Sequence, residues 1–579
     1  MSVVDVSFCI GGEAGQGVLS SGMGFAQAMT RGGLHVFGTP NYYSRIRGGH
    51  NFFTIRVSDE PVYAIKEKIE LLLAFDETTV LEHVDDLVTE GVIVADEGIE
   101  VPEGLVETRA LHLVQAPLVE IAENHGGSVM TNTAVLALVA GLVGFDLKYI
   151  LDVITDNFAA KGEDIVQANE CVAEDAYALV EEDFADICTW QVEAREAPER
   201  LTIDGNHAFG MGCIMGGCKF AAGYPMTPAS SVLEYMAQHA DSWGLVVKHA
   251  EDELAAVNMC VGAANAGVRA MTCTSGGGFD LMTEGLSLAG MTETPVVVYL
   301  GQRPGPATGL ATRTAQGDLN LALYASHGEY PRVVLAPHTP QEAFYCAQRA
   351  LNIAEKYQCV VIVLSDNYNA NSLWSVGAEA FDPQQVQIDR GKLLDAEALE
   401  EMDVYHRYAI TPDGVSPRAL PGSHPKAVYL ATGNEHRENG HITEDPEISA
   451  AMLDKRMRKL DGARTEMRAP FTYGPSEAEI TFVSWGSSYG PVYEAMERCN
   501  AGGTSANMVH FVDLWPFPVE ETKEILGSAG TLIDVEGNGT AEFASLLYGQ
   551  TGIEVDQEIL KYDGRPFTPE YIMEHVEGV

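Results

Sequence analysis

The stretch GLVVKHAEDELAAVNMCVGAANAGVRAMTCTSGGGFDLMTEGLSLAGMTETPVVVYL, residues 244–300, decides the fold. Gly244–His249 reads as a strand, Glu251–Ala266 as a helix and Arg269–Thr274 as a second strand. Ser275–Gly278 reads as a turn, Phe279–Ala289 as a helix and Pro295–Leu300 as a buried strand. Parallel strands need a crossover between them, so this β-α-β-α-β order predicts a parallel α/β sheet. Just upstream, Asn206–Phe220 has helical spacing. Tyr224-Pro225-Met226-Thr227-Pro228 must be extended or turned, because two prolines block a helix and restrict the residues before them. Ser230 or Ser231 is positioned to cap a helix ending near His239.

Two further α/β blocks flank this one. At the N-terminus, Val3–Ile10 reads as a strand, Gly11–Gly17 as a glycine turn and Val18 to Thr30 as a helix, with strands at His35–Gly38, Asn51–Val57, Leu71–Ala74 and Gly91–Ala95. A helix-rich stretch over Asn132–Glu174 follows, and the acidic run through Glu181–Asp186 into Ala194–Arg200, which contains Pro198, reads as a linker. At the other end, strands at Glu479–Trp485, Met508–Asp513 and Gly530–Val535 alternate with helices at Val492–Cys499 and Thr540–Tyr548. The expected organisation is an N-terminal domain over 1–190, a central domain over 200–380, a charged linker over 381–475 and a C-terminal domain over 476–579. A length of 579 residues agrees with three or four domains at about 150 residues each.

Composition narrows the function classes. Asp and Glu number 83 against 35 Lys and Arg, a formal charge of −48 that repels phosphate backbones and anionic bilayers. Neither nucleic acid nor membrane is an expected partner. The longest apolar runs fall short of the ~20 residues of a spanning helix, and the N-terminus lacks the basic region of a signal peptide. The ten cysteines include no C-x-x-C, which disfavours both a disulfide scaffold and an iron–sulfur cluster in this chain. The expected compartment is the cytoplasm.

Several segments are candidates for ligand contact, each with a bland alternative. Gly11, Gly12, Gly15 and Gly17 follow a strand and open a helix, a geometry that aims backbone N–H groups at an anion. The spacing is not G-x-G-x-x-G, and a packing turn is the alternative. Ser44-Arg45-Ile46-Arg47-Gly48-Gly49-His50 sets two arginines in a very acidic chain, which suits a phosphate or carboxylate ligand, or a structural ion pair. Glu251-Asp252-Glu253 stands at a helix start, where acids are ordinary dipole partners, although a carboxyl on the apolar face has a raised pKa. Ser275–Gly278 permits close backbone approach. Arg303, in Gly301-Gln302-Arg303-Pro304, ends a parallel strand, where open α/β sheets hold ligands. His436 and His441, with Glu435, Glu438, Glu444 and Asp445, form a charged cluster that reads as solvated surface rather than a metal loop. Lipase, zincin and P-loop motifs are missing.

Taken in order, these segments with Gly301–Leu319 (GQRPGPATGLATRTAQGDL) and Leu514–Pro518 resemble one family over almost the whole chain: the α subunit of 2-oxoacid:ferredoxin oxidoreductases, with the γ domain fused at the N-terminus. The most specific element is Tyr-Pro-Met-Thr-Pro-Ala-Ser-Ser at 224–231, similar to the family's Y-P-I-T-P-S-S, with Met226 and Ala229 as departures. The resemblance implies three α/β domains: a Rossmann-like γ domain, a pyrimidine-binding domain for thiamine diphosphate and a transketolase C-terminal-like domain. It implies CoA-dependent oxidative decarboxylation of a 2-oxoacid, with electrons passed to ferredoxin. Glu253 matches the glutamate facing the aminopyrimidine ring. Thr227 and Arg303 match the contacts to the substrate carboxylate, with Tyr224 and Pro225 at the cofactor. Gly11, Gly12, Gly15, Gly17, Arg45 and Arg47 match the γ-domain segments associated with coenzyme A.

No G-D-G diphosphate–metal motif is present, so the resemblance assigns no metal to this chain. It places Mg2+ and a 4Fe-4S cluster in a β subunit, within an (αβ)2 assembly. The fused arrangement favours 2-oxoglutarate over pyruvate or branched-chain oxoacids. A non-catalytic flavin- or nucleotide-binding electron-transfer subunit is the alternative from another class. A transketolase or E1 component leaves the first 190 residues unexplained.

Overall fold

The central sheet has seven strands in the order Asp513–Trp515, Arg332–Leu335, Val360–Asp366, Val296–Gln302, Ala270–Thr274, Phe220–Gly223 and Val246–His249 in the computed structural model. All pair in parallel except Asp513–Trp515, which runs antiparallel to Arg332–Leu335. The structure describes residues 4–43, 49–185 and 187–576. Strands Ala270–Thr274, Val296–Gln302 and Val360–Asp366 are buried along their whole length, which is why they read as unbroken apolar runs. Helices Glu253–Asn265 and Gly276–Met291 are the crossovers.

This sheet belongs to one of two units, made of Gly205–Ala370 and Phe381–Phe567. The same unit holds a five-stranded sheet in the order Phe471–Tyr473, Ala506–Phe511, Ile480–Trp485, Thr531–Glu536 and Gln557–Leu560. One apolar core runs through both sheets, joining Val298 and Ile362 to Trp485, Phe511 and Phe517.

The other unit comprises the chain up to Asp204 with Asn371–Ala380 and Thr568–Glu574. Its mixed eight-stranded sheet has Asp5–Glu13 inside, parallel to Ile69–Ala74 and antiparallel to His50–Ser58. Helices Val18–Arg31, Thr131–Leu142, Lys148–Phe158 and Glu163–Leu179 cover it around Phe8, Phe25, Phe53 and Leu138.

The three α/β blocks each form a sheet with covering helices as expected, and four local readings are corrected. The helix expected over Asn206–Phe220 stops at Met215, and Phe220 instead begins a strand, Phe220–Gly223. Gly276 to Gly278 open helix Gly276–Met291 instead of making a turn. Neither Ser230 nor Ser231 caps its helix through a side chain. The acidic run before Arg200 packs on its own unit, with Val192 fully buried and its N–H donated to the Val143 carbonyl.

The largest correction is the stretch 381–475, which is packed structure rather than a linker. Its 19-residue helix, Pro446–Arg464, starts at Asp445, whose carboxylate accepts from the Glu447 and Ile448 amides. Lys455 and Lys459 each reach Glu293 at 2.5 Å, and all three side chains are fully buried. Arg269, Arg390 and Arg418 similarly surround Glu355. These charges face inward and are paired, and removing one partner from such a site is strongly destabilising. Charge density imitated a solvated segment.

Candidate active site

Strands Phe220–Gly223, Ala270–Thr274 and Val296–Gln302 deliver their carboxyl ends to the same edge of the sheet, the place where open α/β sheets bind ligands. From the first comes Tyr224 to Pro228, with Tyr224 and Pro225 exposed and Pro228 buried. Gly301 lets this segment approach, since a Cβ there would lie 2.9 Å from the Pro228 ring. Behind it, Asn206 donates to the Pro228 carbonyl and to Ser231 Oγ, and is held in turn by the Tyr299 hydroxyl at 2.6 Å. Thr227 is therefore presented by a braced turn.

Arg303 follows the end of strand Val296–Gln302. Its Nη1 donates to the Thr227 carbonyl at 2.9 Å, joining the two residues expected to bind substrate. The bond uses the Thr227 backbone, so the hydroxyl is not consumed by it.

Glu253 is the first residue of helix Glu253–Asn265, after Asp252, whose side chain accepts from the Ala255 amide. Asp252 satisfies the helix start, so Glu253 is not needed as a cap. Its side chain is 3% exposed, and Oε1 is buried without a hydrogen-bond partner. The carboxyl lies against Gly278, where a Cβ would come within 2.4 Å of Oε1. The glycine is required by close approach, since any side chain would push the carboxylate aside. Glu251 is exposed and Asp252 half-buried, so Glu253 alone of the three faces inward.

A second carboxyl, which carried no sequence assignment, sits at the start of helix Gly276–Met291. Asp318 lies against Gly276, where a Cβ would meet Oδ2 at 2.8 Å, and Oδ2 has no hydrogen-bond partner. Burial, reinforced by the charges of Glu542 and Asp280 and opposed by Arg303, pushes its pKa up to about 7. An acid whose folded pKa is raised binds extra protons in the folded state. Its stability contribution is present at low pH and is lost as pH rises from about 4 through about 7. Asp318→Asn should match the parent in thermal unfolding near pH 4 and exceed it increasingly towards pH 8. A difference in melting temperature that does not vary with pH would show that Asp318 ionises normally.

Segment 301–319 earns its specificity through contacts to both sheets of its unit. Gln302 donates to the Ser365 carbonyl and accepts from the Asp318 amide. Gln316 donates to the Trp485 carbonyl, and its Oε1 accepts from Ser488 Oγ and the Gly537 amide. A cavity of about 410 Å³ lies elsewhere, lined by Glu284, Leu288 and Met291 from the later half of helix Gly276–Met291 and by Tyr330 and Arg456. The polar groups described above do not line it.

In the N-terminal unit, Gly11 and Gly12 continue strand Asp5–Glu13 and pair opposite Phe52 and Asn51, so they are not part of a free anion loop. Close packing accounts for both: a Cβ would strike Thr79 at Gly11 and Phe75 at Gly12. Gly15 and Gly17 do form the turn, and Gly17 precedes helix Val18–Arg31 at φ 79°. Arg45 and Arg47 lie outside the described residues. His436 is fully buried against Tyr408 with Nδ1 at 3.0 Å from the Asn434 carbonyl, and Glu435 pairs with Arg456. His436 is therefore packed core, whereas His441, Glu444 and Asp445 are exposed, as the solvated-surface reading expects.

Residues 211–455 match the family model of the thiamine diphosphate-binding part of pyruvate flavodoxin/ferredoxin oxidoreductases, and residues 7–179 match that of pyruvate ferredoxin/flavodoxin oxidoreductase. The chain is 34% identical to the 2-oxoacid:ferredoxin oxidoreductase subunit alpha of a Sulfolobus species, over 97% of this chain and 95% of that one. The chain belongs to the 2-oxoacid:ferredoxin oxidoreductase α subunits. This α subunit is also 29% identical to the 2-oxoglutarate oxidoreductase subunit KorA of Mycobacterium tuberculosis, over 97% of this chain and 89% of that one. A solved 2-oxoglutarate:ferredoxin oxidoreductase from Magnetococcus marinus, with 2-oxoglutarate, coenzyme A and succinyl-CoA bound, matches it with a TM-score of 0.92 at 32% identity and 99% coverage of both chains.

Membership replaces the reading as a non-catalytic flavin- or nucleotide-binding subunit. No helix among the described residues of this α subunit is long and apolar enough to cross a membrane. The donor set fits thiamine diphosphate: a buried carboxylate oxygen without a partner, at the carboxyl edge of the sheet, is what a protonated ring nitrogen requires.

Proposed function

We propose that this α subunit, with a β partner, converts 2-oxoglutarate and coenzyme A to succinyl-CoA and CO2, passing two electrons to ferredoxin. The observation that carries the reading is the unpartnered, buried Oε1 of Glu253 over Gly278, in the same edge as the Thr227–Arg303 pair. When bound, thiamine diphosphate supplies the carbon nucleophile that holds the electron pair released with CO2. Glu253 Oε1 holds and moves a proton at the aminopyrimidine nitrogen. Gly278 leaves that carboxyl its space, and Tyr224 and Pro225, on the neighbouring loop, would help to hold the cofactor. Arg303 fixes the oxoacid carboxylate, with Thr227 beside it, and this orientation sets the keto carbon for attack. Gly15, Gly17, Arg45 and Arg47 bear on coenzyme A, a diphosphate well suited to a cationic loop. Gly11 and Gly12 contribute to that end through packing.

The Magnetococcus structure and the KorA relatives support 2-oxoglutarate as the oxoacid. The exposure of Tyr224 at 41% and of Leu254 at 46% beside the site supports a partner that covers this edge and brings Mg2+ and a 4Fe-4S cluster. The pair would assemble as (αβ)2 in the cytoplasm.

Co-expressed with its β partner, the chain should reduce a viologen dye in a CoA-dependent reaction, with higher kcat/KM for 2-oxoglutarate than for pyruvate or branched-chain oxoacids. Alone, it should carry no iron and reduce no dye. A stoichiometric 4Fe-4S absorbance in the isolated chain, or a preference for pyruvate, overturns the partner or the substrate assignment respectively.

A further inference from the structure

The N-terminal unit contains a cluster that the thiamine reading does not use. Strand His50–Ser58 begins at His50, and helix Glu77–His83 ends at His83. Their Nε2 atoms stand 2.9 Å apart, and both side chains are buried. One donor atom each from His50, Glu82 and His83 lies within 4.8 Å of the others. Among the described residues this is the one group of three or more His, Cys, Asp or Glu side chains that converges in this way.

The surroundings prepare these groups as ligands. Asp86 Oδ2 lies 2.8 Å from His83 Nδ1. The carboxylate accepts that N–H, which leaves the Nε2 lone pair of His83 directed at His50. A carboxylate on the far nitrogen is the usual outer support of a metal-bound histidine. Phe52 walls the pair, stacked on His50 and edge-on to His83 at 4.6 Å. An N–H···N hydrogen bond alone accounts for the ring separation, but it gives no role to Glu82, an anionic donor at the same point.

We propose that His50, Glu82 and His83 bind a divalent transition-metal ion of the Zn2+ class, with Asp86 as the positioning residue. Two imidazoles and one carboxylate are a common zinc donor set, and they leave the fourth tetrahedral position to water or another exogenous donor. Zn–N bonds of about 2.0–2.1 Å in a tetrahedron separate the two nitrogens by about 3.3 Å. The rings therefore part by a few tenths of an ångström on binding. The ion would tie strand His50–Ser58 to helix Glu77–His83 next to Gly11, whose missing Cβ would lie 3.0 Å from the His50 ring. The site does not depend on the thiamine assignment, and Glu253 variants leave it intact.

The test uses the purified full-length chain, stripped with chelator and titrated with Co2+, then Zn2+. With a formal charge of −48, surface carboxylates will also collect cations, so the readout is spectroscopic. Surface sites hold Co2+ in octahedral oxygen coordination with weak absorption, whereas the proposed site gives the intense visible bands of a tetrahedral ion. One equivalent should produce these bands, and Zn2+ should abolish them. Asp86→Asn should weaken binding by about 10–100-fold. His83→Gln should weaken it more than that, and Glu82→Gln, on an exposed side chain that the fold does not need, should also reduce affinity. Weak octahedral spectra only, or tetrahedral bands that persist in both His83→Gln and Glu82→Gln, overturn the site.

Discussion

Glu253→Gln in the reconstituted enzyme should lower turnover by about 10²–10⁴, the usual range for losing a general acid–base group. The amide keeps the volume that fits over Gly278 and can still hydrogen-bond, so folding and assembly with the β partner should survive. What is lost is a group able to take and return a proton at the aminopyrimidine nitrogen. Deuterium exchange at the thiazolium carbon should slow with turnover, while the KM for oxoacid changes little, because the residue acts before substrate is engaged. The two neighbouring acids are internal controls. Glu251 is exposed, and its replacement by Gln should leave turnover intact. Asp252 caps the helix through the Ala255 amide at 2.7 Å, so Asp252→Ala should cost about 0.5–2 kcal/mol of stability without the exchange defect. Normal exchange in Glu253→Gln would remove the carboxyl from the proton path and leave its unpartnered oxygen without the role assigned here.

Ala270–Thr274 and Val296–Gln302 were legible in part because burial on both faces favours apolar residues throughout, and their crossover helices because small and apolar residues recur at helical spacing; Arg332–Leu335 and Val360–Asp366 went unassigned. The four residues Phe220–Gly223 are too short to show a period, and Phe220 was taken into the preceding helix while Ala221–Gly223 went unassigned. Gly276 to Gly278 looked like a turn because glycine is ordinarily a poor helix former. Gly276 and Gly278 are glycine for another reason, the approach of Asp318 and Glu253, which a linear reading cannot see. The same holds for the stretch 381–475, whose charges find partners far along the chain, as Arg418 finds Glu355 and Lys455 finds Glu293. Among candidate site residues, Thr227, Arg303 and Glu253 came from motifs, and the structure brings Thr227 and Arg303 into contact. Asp318 was hidden at the end of a quoted motif, as an acid before a short helix. Its raised pKa comes from burial and from Glu542, which lies 224 positions later in the chain. His50 and His83 are 33 residues apart, a separation that matches no metal-ligand spacing.

Arg303→Leu should reduce kcat/KM for oxoacid by about ten- to a hundredfold, corresponding to the roughly 1.5–3 kcal/mol of a hydrogen bond to a charged group. The guanidinium is a planar fork with five N–H donors. The bond from Nη1 to the Thr227 carbonyl fixes its plane and leaves the arginine a positive charge at the site edge. Leucine retains much of the stem's packing and loses both charge and fork, so the defect should fall mainly on KM. Arg303→Lys separates the two, since it restores the charge without the bidentate geometry and should recover only part of the loss. The substrate panel then tells which carboxylate is held. Every 2-oxoacid carries the carboxylate next to the keto carbon, so an arginine that grips it penalises 2-oxoglutarate and pyruvate by the same factor. An arginine that grips the distal carboxylate penalises 2-oxoglutarate alone, and Arg303→Leu would then shift preference towards pyruvate. The placement of Arg303 against the Thr227 turn favours the first outcome, an equal loss across the panel. Parent-like kinetics for every oxoacid would make Arg303 a brace for that turn and move the substrate contact to another residue.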